Sequence, residues 1–258
     1  MKHARVEYKG VTQAATLLAD QRLQLANGET IDAKEVKWLP PTNGTIFALG
    51  LNYADHAAEL DFKAPTEPLV FLKGTNTLTG HNQVSVRPDN LEYMHYEAEL
   101  VVVIGKTAKN VSREDAMQYV GGYTVCNDYA VRDYLENYYR PNLRVKSRDT
   151  LTPIGPWMVE AADVADPHNL ALRTYVNGEL RQEGSTKDLI FDVPFLVSYL
   201  SSFMTLNPGD MICTGTPEGL SDVKPGDLVE VEVEHVGRLA NRIVSEAEYE
   251  KMLKENAA

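Results

Sequence analysis

Leu228-Val229-Glu230-Val231-Glu232-Val233-Glu234 alternates valine with glutamate. Successive strand side chains point to opposite faces, so Val229, Val231 and Val233 belong to a core while Glu230, Glu232 and Glu234 face water, which predicts a half-buried strand. Pro225-Gly226-Asp227 introduces this run, and Pro208-Gly209-Asp210 introduces another strand-like run, Met211 to Thr214. Both read as recurring turns, not as an internal repeat. Working outward, further strand candidates are Thr45 to Leu49, Leu69 to Leu72, Leu100 to Ile104, Gly122 to Cys126, Trp157 to Val159 and Leu172 to Val176. Helices are fewer: Arg113 to Val120, behind Ser112 and Asp115 as a capping pair, and Pro194 to Met204, with proline in the first turn. Many spaced strands without regular β-α-β alternation predict a mainly β (α+β) fold, closed as a barrel or roll.

The N-terminal stretch reads differently. Ala4 to Tyr8 and Gln21 to Leu25 are short strand candidates with a turn at Asn27-Gly28, and Pro40-Pro41 interrupts the chain, because consecutive prolines continue neither a helix nor a central strand. This predicts a small lobe over residues 1–41 and a catalytic domain over 42–258.

The 258 residues carry 25 Lys+Arg against 37 Asp+Glu, a formal charge of −12. A chain of this size buries roughly 73% of the surface exposed when unfolded, enough for a large core with a small lobe. The acidic balance, without a basic block, excludes nucleic acid, whose binding requires phosphate neutralisation by Lys and Arg. No run of ~18 apolar residues and no leader pattern is present, so a cytoplasmic protein without a membrane partner is expected. Cys126 and Cys213 lie in apolar runs without metal-ligand spacing and read as buried thiols.

Chemistry concentrates at strand ends. Glu97 and Glu99 are two apart at the start of an apolar run, so on a strand they project side by side, and Asp128 follows a second apolar run. Three carboxylates without a thiolate suit a hard divalent ion such as Mg²⁺ or Mn²⁺. His95 shares the strand face of Glu97 and reads as a ligand, a partner of one, or a structural histidine. His56 and Glu59 are three apart, neighbours on a helical turn, where the carboxylate would raise imidazole basicity and orient a general base; a surface His/Glu pair is the plainer reading. Thr214-Gly215-Thr216-Pro217-Glu218-Gly219 is a small-residue loop whose hydroxyls and N–H groups suit a carboxylate, although it is no P-loop and could be a mere turn. Lys146 and Arg132 are possible carboxylate clamps.

Taken in order, these segments resemble the fumarylacetoacetate hydrolase family. The resemblance runs from Thr45 to about Val244. It rests on Asn52-Tyr53-Ala54-Asp55-His56-Ala57-Ala58-Glu59, Phe71-Leu72-Lys73, Glu97-Ala98-Glu99-Leu100, Val103-Ile104-Gly105-Lys106, Asn127-Asp128 with Arg132-Asp133, Lys146-Ser147, Pro153-Ile154-Gly155-Pro156, Val176-Asn177-Gly178-Glu179 and Thr214-Gly215-Thr216-Pro217. Met94 to Glu99 and Tyr134 to Asp149 narrow it to the C-terminal half of the family's bifunctional isomerase/decarboxylases of 4-hydroxyphenylacetate (homoprotocatechuate) degradation.

The resemblance implies a β-roll or barrel-like fold and one divalent metal, Mg²⁺ first and Mn²⁺ as the alternative, on Glu97, Glu99 and Asp128. It implies a catalytic His56–Glu59 dyad with Lys146, and substrate contacts from Arg132, Thr216, Gly215 and Tyr53. The implied partners are a small 2-oxo carboxylate substrate and either a second copy or a related N-terminal-type subunit. Where the family's hydrolases commonly carry a glutamine seven residues after the metal aspartate, Leu135 stands here, which favours chemistry that needs no attacking water. The implied activity is decarboxylation of 5-oxopent-3-ene-1,2,5-tricarboxylate and/or isomerisation of 2-hydroxyhepta-2,4-diene-1,7-dioate. An acylpyruvate hydrolase or oxaloacetate decarboxylase of the same scaffold is the nearest rival, and a non-catalytic partner subunit is the rival of another class.

Overall fold

The computed structural model describes residues 1–55, 65–135 and 143–256. The N-terminal strands are β1 (Lys2–Tyr8), β2 (Val11–Leu17), β3 (Leu23–Leu25), β4 (Thr30–Ile31) and β5 (Lys37–Leu39). They are followed by β6 (Ile46–Gly50), β7 (Leu69–Lys73), β8 (Leu78–Thr79), β9 (Val84–Arg87), β10 (Met94–His95), β11 (Ala98–Ile104), β12 (Val120–Asn127) and β13 (Ala130–Val131). The C-terminal part holds β14 (Thr152–Glu160), β15 (Ala171–Val176), β16 (Glu179–Ser185), β17 (Met211–Cys213), β18 (Leu228–Val233) and β19 (Gly237–Ser245). The described helices are α1 (Leu143–Lys146), α2 (Val193–Phe203) and α3 (Glu246–Asn256), with short 3₁₀ turns. The architecture is mainly β, as the strand patterning predicts.

One large sheet runs in the order β4-β3-β2-β1-β14-β12-β11-β17-β6-β7, and a five-stranded sheet runs β16-β15-β18-β19-β9. β11 is central to the first and entirely buried. Its even-numbered residues, Leu100, Val102 and Ile104, pack with Leu172, Val231, Val233 and Leu239 of the second sheet and with Val193, Leu196, Val197 and Leu200 of α2. Its odd-numbered residues, Val101 and Val103, pack on the other face with Ile46, Ala48, Cys126, Ile154, Met211 and Cys213. A continuous Val/Ile/Leu run is what a strand buried on both faces requires. β18 shows the contrasting pattern: Val229, Val231 and Val233 are buried, while Glu230 and Glu232 are half-buried and pair with Arg238 and Arg173.

The N-terminal strands carry an apolar cluster, Ala4, Val6, Leu23, Leu25, Ile31 and Trp38, and continue the large sheet where β1 pairs with β14. Trp38 and Trp157 meet edge to face across this junction.

α2 begins behind Asp192, whose Oδ1 accepts the Phe195 N–H, and Pro194 lies in its first turn. The helix expected over Arg113 to Val120 is only a 3₁₀ turn, Ala116–Tyr119. Ser112 and Asp115 do exchange hydrogen bonds, but the Tyr119 carbonyl accepts from Gly105 N–H and the chain enters β12 at Val120, so sheet pairing ends the turn. Both cysteines are free and buried. No described helix is long and apolar enough to cross a membrane.

Candidate metal centre

Glu97, Glu99 and Asp128 come together because β11 and β12 pair antiparallel with Ala98 opposite Asn127. That register sets the residue before β11 beside the residue after β12. The Asp128 N–H donates to the Glu97 carbonyl, and the Glu97 N–H donates to the Asn127 side-chain oxygen. One carboxylate oxygen from each of the three acids lies within 4.8 Å of the others, and all three residues are buried.

Two lysines reach this cluster. Lys146, at the end of α1, is buried and directs its ammonium to Glu97 Oε2 (2.6 Å), Asp128 Oδ2 (3.0 Å) and the Asp128 carbonyl (2.9 Å), which uses all three of its protons. Lys73, the last residue of β7, is ion-paired with Asp128 Oδ1. Burial pushes the Asp128 carboxyl up, but Lys146 and Lys73 outweigh it and hold Asp128 below its ordinary value. Burial also disfavours the charge on Lys146, and Asp128 and Glu97 outweigh that, so its ammonium titrates above the ordinary range.

Glu99 is the uncompensated member. Its Oε2 accepts the Gly215 N–H (2.9 Å), while its Oε1, fully buried, has no hydrogen-bond partner among the described residues. Burial, with the charges of Asp128 and Glu97 beside it, drives its carboxyl well above the ordinary carboxylate range. A buried acceptor without a partner costs ~1–3 kcal/mol. An oxygen-only donor set with an orphaned carboxylate oxygen fits a hard divalent cation.

Of the other expected residues, Gly215 and Tyr53 lie beside Glu99. Gly215 has φ +93°, a left-handed conformation that glycine adopts freely, and this turn aims its N–H at Glu99. Thr214 anchors the loop by donating its hydroxyl to the Leu100 carbonyl (2.9 Å). Thr216 is buried, and its Oγ1 accepts from Gln182 Nε2 (2.8 Å). Tyr53 is fully buried with its hydroxyl unpartnered among the described residues, and burial, with the Glu99 charge nearby, pushes its phenol well above its ordinary value. Arg132 opens the 3₁₀ turn Arg132–Tyr134, four residues beyond Asp128. His95 is buried with Nδ1 3.6 Å from Glu97 Oε1. His56 and Glu59 lie outside the described residues.

Sequence reasoning about single residues missed Lys73, Asn52, Asn127 and Gln182. Asn52 donates to the Thr214 and Phe191 carbonyls and accepts the Phe191 N–H, tying the glycine loop to the approach of α2. The available signal was a cation closing an apolar strand in Phe71-Leu72-Lys73; the two asparagines and the glutamine have no local signature.

The family description "Fumarylacetoacetate (FAA) hydrolase C-terminal" matches residues 45–244, which carry every described residue of this centre. The chain belongs to the fumarylacetoacetate hydrolase family. Within the fumarylacetoacetate hydrolase family it is 74% identical over 218 residues to the 4-hydroxyphenylacetate degradation bifunctional isomerase/decarboxylase of Escherichia coli. That alignment covers 84% of this chain and 51% of the relative, so the chain spans about half that protein's length. Among solved structures it is similar to a 5-carboxymethyl-2-hydroxymuconate delta-isomerase from Mycobacterium smegmatis, with TM-score 0.86 and 35% identity, covering 95% of this chain and 99% of the other. A maleylpyruvate hydrolase from Sphingobium, solved in complex with manganese(II) ion and pyruvate, has TM-score 0.80 and 29% identity, covering 95% and 99% of the two chains.

Proposed function

We propose that this chain is a divalent-metal-dependent carboxy-lyase and isomerase of 2-oxo and 2-hydroxydiene di- and tricarboxylates. It would decarboxylate 5-oxopent-3-ene-1,2,5-tricarboxylate and isomerise 2-hydroxyhepta-2,4-diene-1,7-dioate. The observation that carries the reading is the buried convergence of Glu97, Glu99 and Asp128 in a chain 74% identical to a bifunctional isomerase/decarboxylase.

A divalent ion held by Glu97, Glu99 and Asp128, Mg²⁺ first and Mn²⁺ second, would supply Lewis acidity to the 2-oxo oxygen of a chelating substrate. The manganese(II) and pyruvate bound by the Sphingobium relative support that ligand class. Charge accounting supports it too. With Glu99 ionised, as a ligand must be, three carboxylates against the two ammonium groups of Lys73 and Lys146 leave one formal negative charge, which repels an organic anion; a dication reverses the sign.

The protein groups then have distinct tasks. Lys146 and Lys73 hold Asp128 ionised and oriented, and Lys146 orients Glu97 through its Oε2. Arg132 would take a substrate carboxylate not engaged by the ion, and Thr216, the Gly215 turn and the Tyr53 hydroxyl would donate hydrogen bonds around it. His56, polarised by Glu59, would carry the proton between carbon and oxygen positions of the dienolate left by CO₂ loss. Leu135 stands seven residues after Asp128, where the family's hydrolases commonly carry a glutamine, which favours decarboxylation and isomerisation over hydrolysis. The partner would be a second copy of this chain or a related N-terminal-type subunit.

The test is to supply the tricarboxylate to the purified chain with Mg²⁺, Mn²⁺ or EDTA and to follow CO₂ and dienol absorbance. Metal-dependent CO₂ release is expected. Turnover of acetylpyruvate without turnover of the tricarboxylate would replace this reading with hydrolysis. Activity only on addition of an N-terminal-type partner would assign the chain to a subunit role.

A further inference from the structure

Gln182 lies on β16, in a stretch whose neighbours Arg181 and Glu183 are exposed, yet it is 1% exposed. All four hydrogen-bonding positions of its amide are used. Its Oε1 accepts the Ala98 N–H (3.3 Å) and the Thr174 hydroxyl (2.8 Å), and its Nε2 donates to Thr216 Oγ1 and the Pro217 carbonyl, both at 2.8 Å. Two of these partners leave no choice of orientation. A backbone N–H can only donate and a backbone carbonyl can only accept, so the oxygen must face Ala98 and the NH₂ must face Pro217. Thr216 Oγ1 is therefore an acceptor toward Gln182. Its single proton must point elsewhere, and no described acceptor takes it.

We propose that Gln182 is a positioning residue that fixes the Thr216 hydroxyl as an outward hydrogen-bond donor for the carboxylate of a 2-oxo acid. The inference rests on the functional reading above. It also explains why the loop is placed so tightly. Ala98 lies between Glu97 and Glu99, while Thr216 follows Gly215, whose N–H is on Glu99. One amide thus spans from the ligand-bearing strand to the substrate loop. Gly184, two residues on, lets Pro217 approach: a Cβ there would lie 2.4 Å from Pro217 Cβ. A free threonine hydroxyl would spend part of its time donating to protein acceptors; one already accepting from a buried amide is organised before the anion arrives.

The experiment measures pyruvate binding to the Mn²⁺-loaded protein, with Mn²⁺ affinity measured separately by calorimetry and fold checked by thermal melting. Gln182→Glu replaces the donor to Thr216 with an acceptor, so the hydroxyl turns back toward residue 182; pyruvate binding is expected to weaken at least ten-fold while Mn²⁺ affinity changes less than three-fold. Gln182→Met, of similar length but unable to donate, is expected to weaken it about three-fold and serves if the glutamate variant does not fold. The decisive comparison is Thr216→Val. It should weaken pyruvate binding about as much as Gln182→Glu, and neither residue 182 variant should weaken it further in that background. Equal losses from the residue 182 variants with threonine or valine at 216 would reduce Gln182 to general packing and overturn the proposal. Unchanged pyruvate binding in Thr216→Val would overturn it too, leaving the metal and decarboxylase reading intact. Binding of Mn²⁺ but not pyruvate by the unsubstituted protein would overturn both.

Discussion

Replacing Glu99 by glutamine should make the metal-free protein more stable and at the same time insensitive to metal. In the unsubstituted chain Glu99 Oε2 takes the Gly215 N–H and Oε1 takes nothing from the described residues, while a carboxylate oxygen of Glu97 and one of Asp128 lie within 4.8 Å. At an effective dielectric of 20, two like charges at this separation repel by about 3.5 kcal/mol. Part of that cost is relieved by the attraction of Lys146 and part by protonation of Glu99 itself. What remains is on the order of 1–3 kcal/mol, the penalty of an unsatisfied buried acceptor. Glutamine keeps the acceptor for Gly215 and puts an NH₂ where neighbouring carboxylates can receive it. For a chain of this size 1 kcal/mol moves the melting temperature by roughly 2–4 °C. The metal-free Glu99→Gln protein should therefore melt about 2–12 °C higher. Added Mn²⁺ at about 100 times its dissociation constant stabilises a competent site by ~2.7 kcal/mol, or roughly 5–11 °C here. The unsubstituted protein should show that rise and lose it in EDTA; the variant should show none. Scanning calorimetry with and without Mn²⁺ reads both effects. A variant that melts lower without metal, or that keeps the full Mn²⁺ response, would refute Glu99 as a strained, metal-completed ligand.

Lys73→Met leaves Asp128 Oδ1 without its ion-pair partner in a fully buried position, and removing one member of such a pair typically costs ~3–5 kcal/mol. Urea unfolding of the metal-free protein should show that loss, and saturating Mn²⁺ should recover part of it. His81 offers a pH test: its Nδ1 accepts the Ala240 N–H, Trp38 packs against its ring, and burial lowers its pKa to about 4. With an unfolded value near 6.5, the unfolded chain binds the proton first, so this contribution is complete above pH 6.5 and is lost as pH falls toward 4, by up to roughly 3 kcal/mol. A His81→Gln variant should lack that part of the acid destabilisation in urea titrations at pH 7 and pH 4.5, and an identical loss in both proteins would remove His81 as its source.

Much of the molecule is written locally. The valine–glutamate alternation of β18 and the unbroken apolar run of β11 declare a wet-faced and a doubly buried strand, because side-chain direction in a strand depends only on position parity. The same parity places Glu97 beside Glu99 before any tertiary contact is considered. The turn at Ala116–Tyr119 shows where local signals lose: Ser112 and Asp115 make their capping contact, and pairing of the following residues in β12 still cuts the helix short.

What only the tertiary structure decided is the long-range balance around the acids. The β11–β12 register brings Asp128 to Glu97, and two lysines 73 residues apart in sequence, Lys73 and Lys146, arrive on its two carboxylate oxygens. Gln182, the one buried residue of its strand, joins the ligand strand to the Thr216 loop. None of these has a sequence period to betray it. A strand's inward face is set by its own backbone, whereas the neutralisation of a buried charge depends on whichever segment the folded chain carries to it.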